Sequence, residues 1–164
     1  MTENTQEVPM KDYIGTKEIS ACPAGRLSSD KPNEPMEDGY TVVYPGGYKS
    51  WSPKFVFEQA YRDMSKGMTF GDAIHLLKQG RRVARKGWNG KGMWVVLMTG
   101  MSLPPFNTQG TEKKVNDRTA KWIGEDTPLE TLPYIAMWTA DKKWLPGWLA
   151  SQTDMLAEDW VAIH

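Results

Sequence analysis

Five cations, Arg81, Arg82, Arg85, Lys86 and Lys91, fall within eleven residues and are interleaved with Trp88 and Asn89. A guanidinium suits phosphate, an indole face suits a nucleobase, and an amide suits a base edge. The same charges would equally solvate a hairpin turn. A second run, Trp148-Leu149-Ala150-Ser151-Gln152-Thr153-Asp154-Met155, sets an aromatic ring beside hydroxyl, amide and carboxylate groups. Ser151 or Thr153 can cap a helical turn there, and a helix N-terminus with such donors attracts anions. Without a ligand, the same run is a capping motif and nothing more. Together the two runs point to a phosphorylated, base-containing ligand.

Catalysis is poorly provided for. His75 lies one position off the apolar stripe of a predicted helix, and the second imidazole is His164. Ser-His-Asp and Cys-His arrangements need a better placed imidazole than either. Neither Gly-x-x-x-x-Gly-Lys-Ser/Thr nor Gly-x-Gly-x-x-Gly occurs, so the usual phosphate cradles are absent from the sequence. Glu158-Asp159, with Asp154 upstream, are adjacent acids. In a strand they would point to opposite faces and make a poor acid–base pair. The expectation is a binder, not an enzyme, with no cofactor and no metal.

Charge narrows the partners. Twenty basic side chains balance twenty acidic ones over 164 residues. Proteins that grip duplex DNA depend on net positive charge, so duplex nucleic acid is not expected as partner. Cys22 is the single cysteine, which excludes an internal disulfide and fits a reducing compartment. No apolar run approaches the roughly 18 residues of a membrane span, and the first dozen residues lack the regions of a signal peptide. A soluble protein in the cytoplasm is expected. Eight tryptophans, seven of them after residue 87, exceed what a small core needs. They serve as core and oligomer interface, or as a stacking surface for flat ligands.

The elements that must position these residues form two units. In residues 1–67 the first dozen are polar and expected to fray. A strand is predicted over 13–21 and a Pro-rich loop over 22–38. Gly39–Tyr44 and Tyr48–Trp51 form a hairpin through Pro45-Gly46-Gly47. Ser52-Pro53 then reads as an N-cap and first residue of a helix reaching Met64, ended by Gly67. In residues 68–164, Thr69 and Asp72 match a capping box. Phe70, Ala73, Ile74 and Leu77 follow at helical spacing, and Gly80 closes the helix. Arg82–Arg85 and Met93–Met98 are strands joined by an Asn89-Gly90 turn. Residues 99–131 read as irregular, and loops of that length are usually functional or disordered. Strands are predicted at Tyr134–Thr139, at a Pro-interrupted Trp144–Trp148 and at Trp160–Ile163, with a helical turn within Leu149–Leu156. The fold class is α+β: one helix on an antiparallel sheet, preceded by a small β-β-α unit.

Three stretches, Phe70 to Gly80, Val83 to Met93 and Leu132 to Ile135, followed by Trp148-Leu149-Ala150-Ser151-Gln152-Thr153-Asp154-Met155-Leu156-Ala157-Glu158-Asp159-Trp160, carry a resemblance. Over residues 68–164 the chain resembles the phage Thoeris anti-defence sponge family, long carried as a domain of unknown function. The resemblance implies sequestration of cyclic ADP-ribose isomers made by bacterial TIR-domain proteins, without cleavage. Cyclic oligonucleotides of the CBASS type are a further implied ligand. It also implies an α+β homotetramer with ligand sites between protomers, acting in the cytoplasm of the infected host. Carried over by position, the ligand-binding residues are Arg85, Trp88, Asn89, Trp148, Ser151, Gln152, Thr153 and Asp154, with Leu156 and Trp160 in the core. Residues 1–67 depart from the compact family pattern. Their Gly39-to-Pro53 string resembles an accessory segment at the front of unrelated phage proteins.

The alternatives are a hydrolase of the same signal and a single-strand-binding or interaction protein using the tryptophans. Trp94, Trp138 and Trp144 lie on predicted strands and offer apolar area for an oligomer interface. Trp88 and Trp148 sit in turn-like polar company and are the expected base-stacking indoles. Arg85 is the expected phosphate contact, since its planar fork can bond two oxygens at once.

Overall fold

The computed structural model describes residues 17–26 and 36–164. The chain forms two compact units, one up to Arg62 and one from Asp63 to His164.

In the first unit, β1 (Ser20–Pro23), β2 (Gly39–Val43) and β3 (Lys49–Pro53) form an antiparallel sheet in the order β1-β2-β3. The expected Pro45-Gly46-Gly47 turn joins β2 to β3, with Gly46 and Gly47 at φ +93° and +87°. Two expectations need correction. The loop placed over 22–38 begins as strand, since Cys22 and Pro23 pair with Thr41 and Tyr40. An Arg26–Glu37 bridge also lies within it. Positions 13–16 of the predicted first strand, and the first dozen residues, lie outside the described residues. Nor does Ser52 cap the helix: Pro53 is the N-cap, with no side-chain cap hydrogen bond, and Lys54 is the first helical residue. Ser52 and Pro53 end β3, opposite Tyr40 and Gly39, and the Ser52 hydroxyl donates to the Pro53 carbonyl. The helix α1 is shorter than expected, Lys54–Ala60, and Tyr61 is already extended. Tyr40 holds it to the sheet by stacking on Phe57 at 4.1 Å and donating to Glu58 Oε1 at 2.9 Å.

The second unit is an α+β layer. Helix α2 (Phe70–Lys78) begins with the predicted capping box: Thr69 Oγ1 accepts from the Asp72 N–H, and Asp72 Oδ2 accepts from the Thr69 N–H. Two orphan donors of the first turn are thereby satisfied. Gly80 follows at φ +79°, the left-handed conformation glycine adopts without strain. Ala73, Leu76 and Leu77 face the sheet and are buried with Met68, Val83, Val95, Met137 and Trp160. Complete burial of side chains this size contributes about 1.5–3 kcal/mol each, so this layer holds the unit together.

The sheet contains β4 (Arg82–Arg85), β5 (Trp94–Met98), β8 (Tyr134–Trp138), β9 (Trp144–Leu145) and β10 (Trp160–Ile163). All neighbours are antiparallel, in the order β10-β4-β5-β8-β9. The chain enters beside β10: Met68 and Trp160 exchange two backbone hydrogen bonds, at 2.9 and 3.2 Å. Gly67, at φ +136°, permits this approach, because a Cβ there would collide with the Glu158 carbonyl. Register puts Val95 and Met137 on the helix side, and Trp94, Trp138 and Trp144 on the opposite face. There Trp94 stacks on Trp138 at 6.1 Å and meets Trp144 edge-on at 6.0 Å. The Arg82 guanidinium lies over Trp94 at 5.1 Å.

Residues 99–131 are irregular only in part. Strands β6 (Ser102–Leu103) and β7 (Leu129–Glu130) pair, and between them runs α3 (Asp117–Ile123). Asn116 caps α3 by accepting from the Thr119 N–H at 2.9 Å. Ala120 within α3 and Val115 just ahead of it are buried. The Pro- and charge-rich composition hid short elements that depend on two buried side chains and one cap. The β4–β5 connection likewise differs from a two-residue Asn-Gly turn, since it spans residues 86–93. The strand expected over Trp144–Trp148 stops at Leu145.

Candidate ligand-binding site

Three segments converge at one end of the sheet. Strand β4 ends on Arg85, and the turn after it carries Trp88 and Asn89. Trp148 lies in the approach to α4 (Gln152–Met155), and Asp159 precedes β10. Pairing of Trp160 with Arg85 in the β10–β4 register brings the last segment alongside the first.

Asp154 is the centre. Ser151 is the N-cap of α4, so of the two hydroxyls considered it is Ser151 that caps. Its Oγ accepts from the Asp154 N–H at 3.1 Å, and Asp154 Oδ2 accepts from the Ser151 hydroxyl and N–H at 2.7 and 3.2 Å. The other oxygen, Oδ1, accepts from Trp88 Nε1 at 3.0 Å and Arg85 Nη1 at 2.9 Å. Even its main-chain carbonyl is used, accepting from Trp160 Nε1 at 3.0 Å. Burial of this carboxyl would raise its pKa. Donors from Trp88, Arg85 and Ser151 outweigh that and hold it at about 2.

Arg85 bridges two carboxylates. Its Nε donates to Asp159 Oδ1 at 2.8 Å while Nη1 takes Asp154, and the side chain is only 13% exposed. The second oxygen of Asp159 accepts from the Gly87 N–H at 2.6 Å. A Cβ at position 87 would lie 2.7 Å from that oxygen, so a larger residue there would displace the Asp159 carboxylate. Asp159 and then Asp154 raise the Arg85 pKa, and Arg85 in turn lowers that of Asp159.

The eight expected ligand-binding residues therefore divide. Arg85 and Asp154, expected at the ligand, are joined to each other and brace the fold. Trp88 and Trp148 are half-buried, pack edge-on at 5.9 Å, and both meet buried Trp160, at 5.5 and 6.3 Å. Each thus has one side in the core and part of its surface open. Asn89, Ser151, Gln152 and Thr153 are exposed around them. Trp160 is in the core as expected, whereas Leu156 is not: it is 82% exposed, beside Leu149 at 89%. His75, partly exposed on α2, bonds to the Gln79 amide at 2.9 Å.

Asp159 is the member that sequence reasoning missed. In the sequence it stands out only as half of an acid pair with Glu158, and its one further signal is its place one residue ahead of a strand that pairs with Arg85. Among the described residues no group of His, Cys, Asp and Glu is arranged to hold a metal ion. None of the described helices is long and apolar enough to cross a membrane.

A capped α+β unit with an aromatic rim on a braced end of its sheet is the part of the chain that known families recognise, and the class is phage anti-defence. Residues 68–163 match the Thoeris anti-defense 2-like domain, and the chain belongs to that family. A curated relative, Thoeris anti-defense 2 of Bacillus phage SP01, is 38% identical over 97 residues. The match covers 59% of this chain and 96% of the relative. All eight candidate residues lie inside the family match over residues 68–163.

Proposed function

We propose that the protein exerts its anti-defence role by sequestration. It binds a cyclic nucleotide-derived immune signal, a cyclic ADP-ribose isomer of the Thoeris system, and holds it without cleaving it. The observation carrying this reading is the state of the acids beside the candidate residues. Asp154, held ionised at about 2 by three donors, neither gives nor takes a proton near neutral pH. Asp159, lowered by Arg85, is committed in the same way. What remains at the rim is suited to holding: indoles for a base, and the amides and hydroxyls of Asn89, Ser151, Gln152 and Thr153 for its edges and ribose.

The proposed assembly is a homotetramer with two-fold interfaces, its ligand sites completed between protomers, in the cytoplasm of the infected host. Exposed Leu149 and Leu156 flank α4, and the Trp94–Trp138–Trp144 face adds further apolar area. Residues 1–67 act as an accessory segment. Cyclic oligonucleotides of the CBASS type form the second ligand class.

The test is to load purified protein with each cyclic ADP-ribose isomer, remove unbound ligand, denature by heat and chromatograph the release. Intact isomer supports sequestration, whereas cleaved product makes the protein a hydrolase. Salt-sensitive binding to oligonucleotides instead would identify a single-strand-binding protein.

A further inference from the structure

A ligand with a pyrophosphate needs cations, and the guanidinium best placed for it is already taken. Lys86 donates to the carbonyls of Ser65 and Lys66 at 3.0 and 3.3 Å. Lys143 pairs with Asp141 at 2.7 Å, and Arg82 lies over Trp94 and donates to the His164 carbonyl. Lys142 and Lys91 are exposed and, among the described residues, neither ammonium makes a hydrogen bond or ion pair.

Both belong to turns that meet. Pairing of β5 with β8 sets Trp94 opposite Trp138, so the 86–93 and 139–143 turns lie side by side at one end of the sheet. A Cβ on Gly90 would fall 2.8 Å from Ala140 Cβ, and one on Gly92 would fall 3.3 Å from Lys142 Nζ. The Lys142 ammonium thus lies over the turn that presents Trp88 and Asn89.

The backbone adds a second, independent observation. Lys142 has φ +63°, and among the described residues it is the one non-glycine with positive φ. The turn is tight: the Lys142 N–H donates to the Thr139 carbonyl, and the Thr139 N–H to the Lys143 carbonyl, both at 3.0 Å. Glycine is the natural occupant of a left-handed position closing such a hairpin, because an L side chain crowds its own backbone there. A lysine in that place sacrifices stability and gains only its side chain.

We propose that Lys142, seconded by Lys91 on the facing turn, provides the cationic contact for the phosphate groups of the sequestered nucleotide. This rests on the sequestration reading and assigns a charge beyond that of Arg85, whose Nε and Nη1 are occupied by Asp159 and Asp154.

Lys142→Gln and Lys142→Gly separate a binding role from a structural one, because the glycine variant relieves the strained φ. Calorimetry with each cyclic ADP-ribose isomer and thermal unfolding of the same samples are the measurements. Both variants should bind about tenfold more weakly, the loss of one charge-assisted contact, and with less dependence on salt. Lys142→Gly should at the same time melt higher, by about 2–5 °C. Wild-type affinity in both variants overturns the assignment and leaves sequestration standing. Weaker binding that only tracks a lower melting temperature in both overturns it in favour of a structural role. If the wild-type protein takes up none of the isomers, the sequestration reading fails and this inference falls with it.

Discussion

Replacing Asp154 by alanine removes three things together: the ion pair with Arg85, the acceptor for the Trp88 indole, and half of the α4 capping box. The cost can be worked from the carboxyl's own equilibrium. Its pKa falls from the ordinary 3.8 to about 2 in the folded chain. At about 1.36 kcal/mol per unit, that depression corresponds to roughly 2 kcal/mol in favour of folding at neutral pH. The side chain is only 12% exposed, so solvent screens little of it. The hydrogen bonds that the carboxyl would keep when protonated lie outside that figure and add about 1 kcal/mol. Asp154→Ala should therefore destabilise the second unit by about 3 kcal/mol, at the lower end of what breaking a buried pair costs. Urea unfolding followed by tryptophan fluorescence measures it. The sign with pH follows from the depressed pKa. The ionic share is fully present above the unfolded value of 3.8 and is lost as pH falls towards about 2. The gap between wild type and variant should accordingly narrow to about 1 kcal/mol over that interval. A deficit below about 1 kcal/mol at neutral pH, or one that stays constant on acidification, would refute the account of Asp154 as the centre of the brace.

Arg85→Lys should destabilise by about 1–2 kcal/mol in the same assay, since an ammonium cannot span Asp154 and Asp159 as a planar fork does. Trp88→Ala and Trp148→Ala should each weaken isomer binding roughly tenfold to a hundredfold by calorimetry on the folded variants, the worth of one base stack. Wild-type affinity in both would move the site elsewhere. Gly67→Ala should cost more than about 2 kcal/mol of stability, because its Cβ would meet the Glu158 carbonyl at a strained φ. Light scattering at micromolar concentration should return about four times the 18.6 kDa chain mass; a monomer would remove the inter-subunit site.

Periodicity and capping chemistry made the second unit readable. Thr69 with Asp72, the apolar stripe from Phe70 to Leu77, and Gly80 define α2 within its own sequence, and α2 is what the structure shows. Strands β5, β8 and β10 were legible as apolar runs bounded by turn residues, and β4 as the short Arg82–Arg85 segment between Gly80 and Gly87. The misread elements depend on partners distant in sequence. Ser52-Pro53 has the chemistry of a helix start, but pairing with Gly39 and Tyr40 extends the strand through it. Strands β6 and β7 are two residues each and exist only because they pair with one another across α3.

The structure brings Arg85, Trp88, Trp148, Ser151 and Asp154, all picked out by their types in the sequence, to one end of the sheet. What local sequence could not reveal is which polar groups satisfy each other. An arginine beside an indole reads as a phosphate contact only while its carboxylate partners are unknown. Asp154 and Asp159 lie 69 and 74 residues away and reach Arg85 through the β10–β4 pairing. Once they arrive, two ionised acids hold the guanidinium through Nε and Nη1. Its charge then becomes a fixed part of the scaffold. It steadies the indoles of Trp88, directly through the shared Asp154 oxygen, and of Trp148, through the contact between the rings.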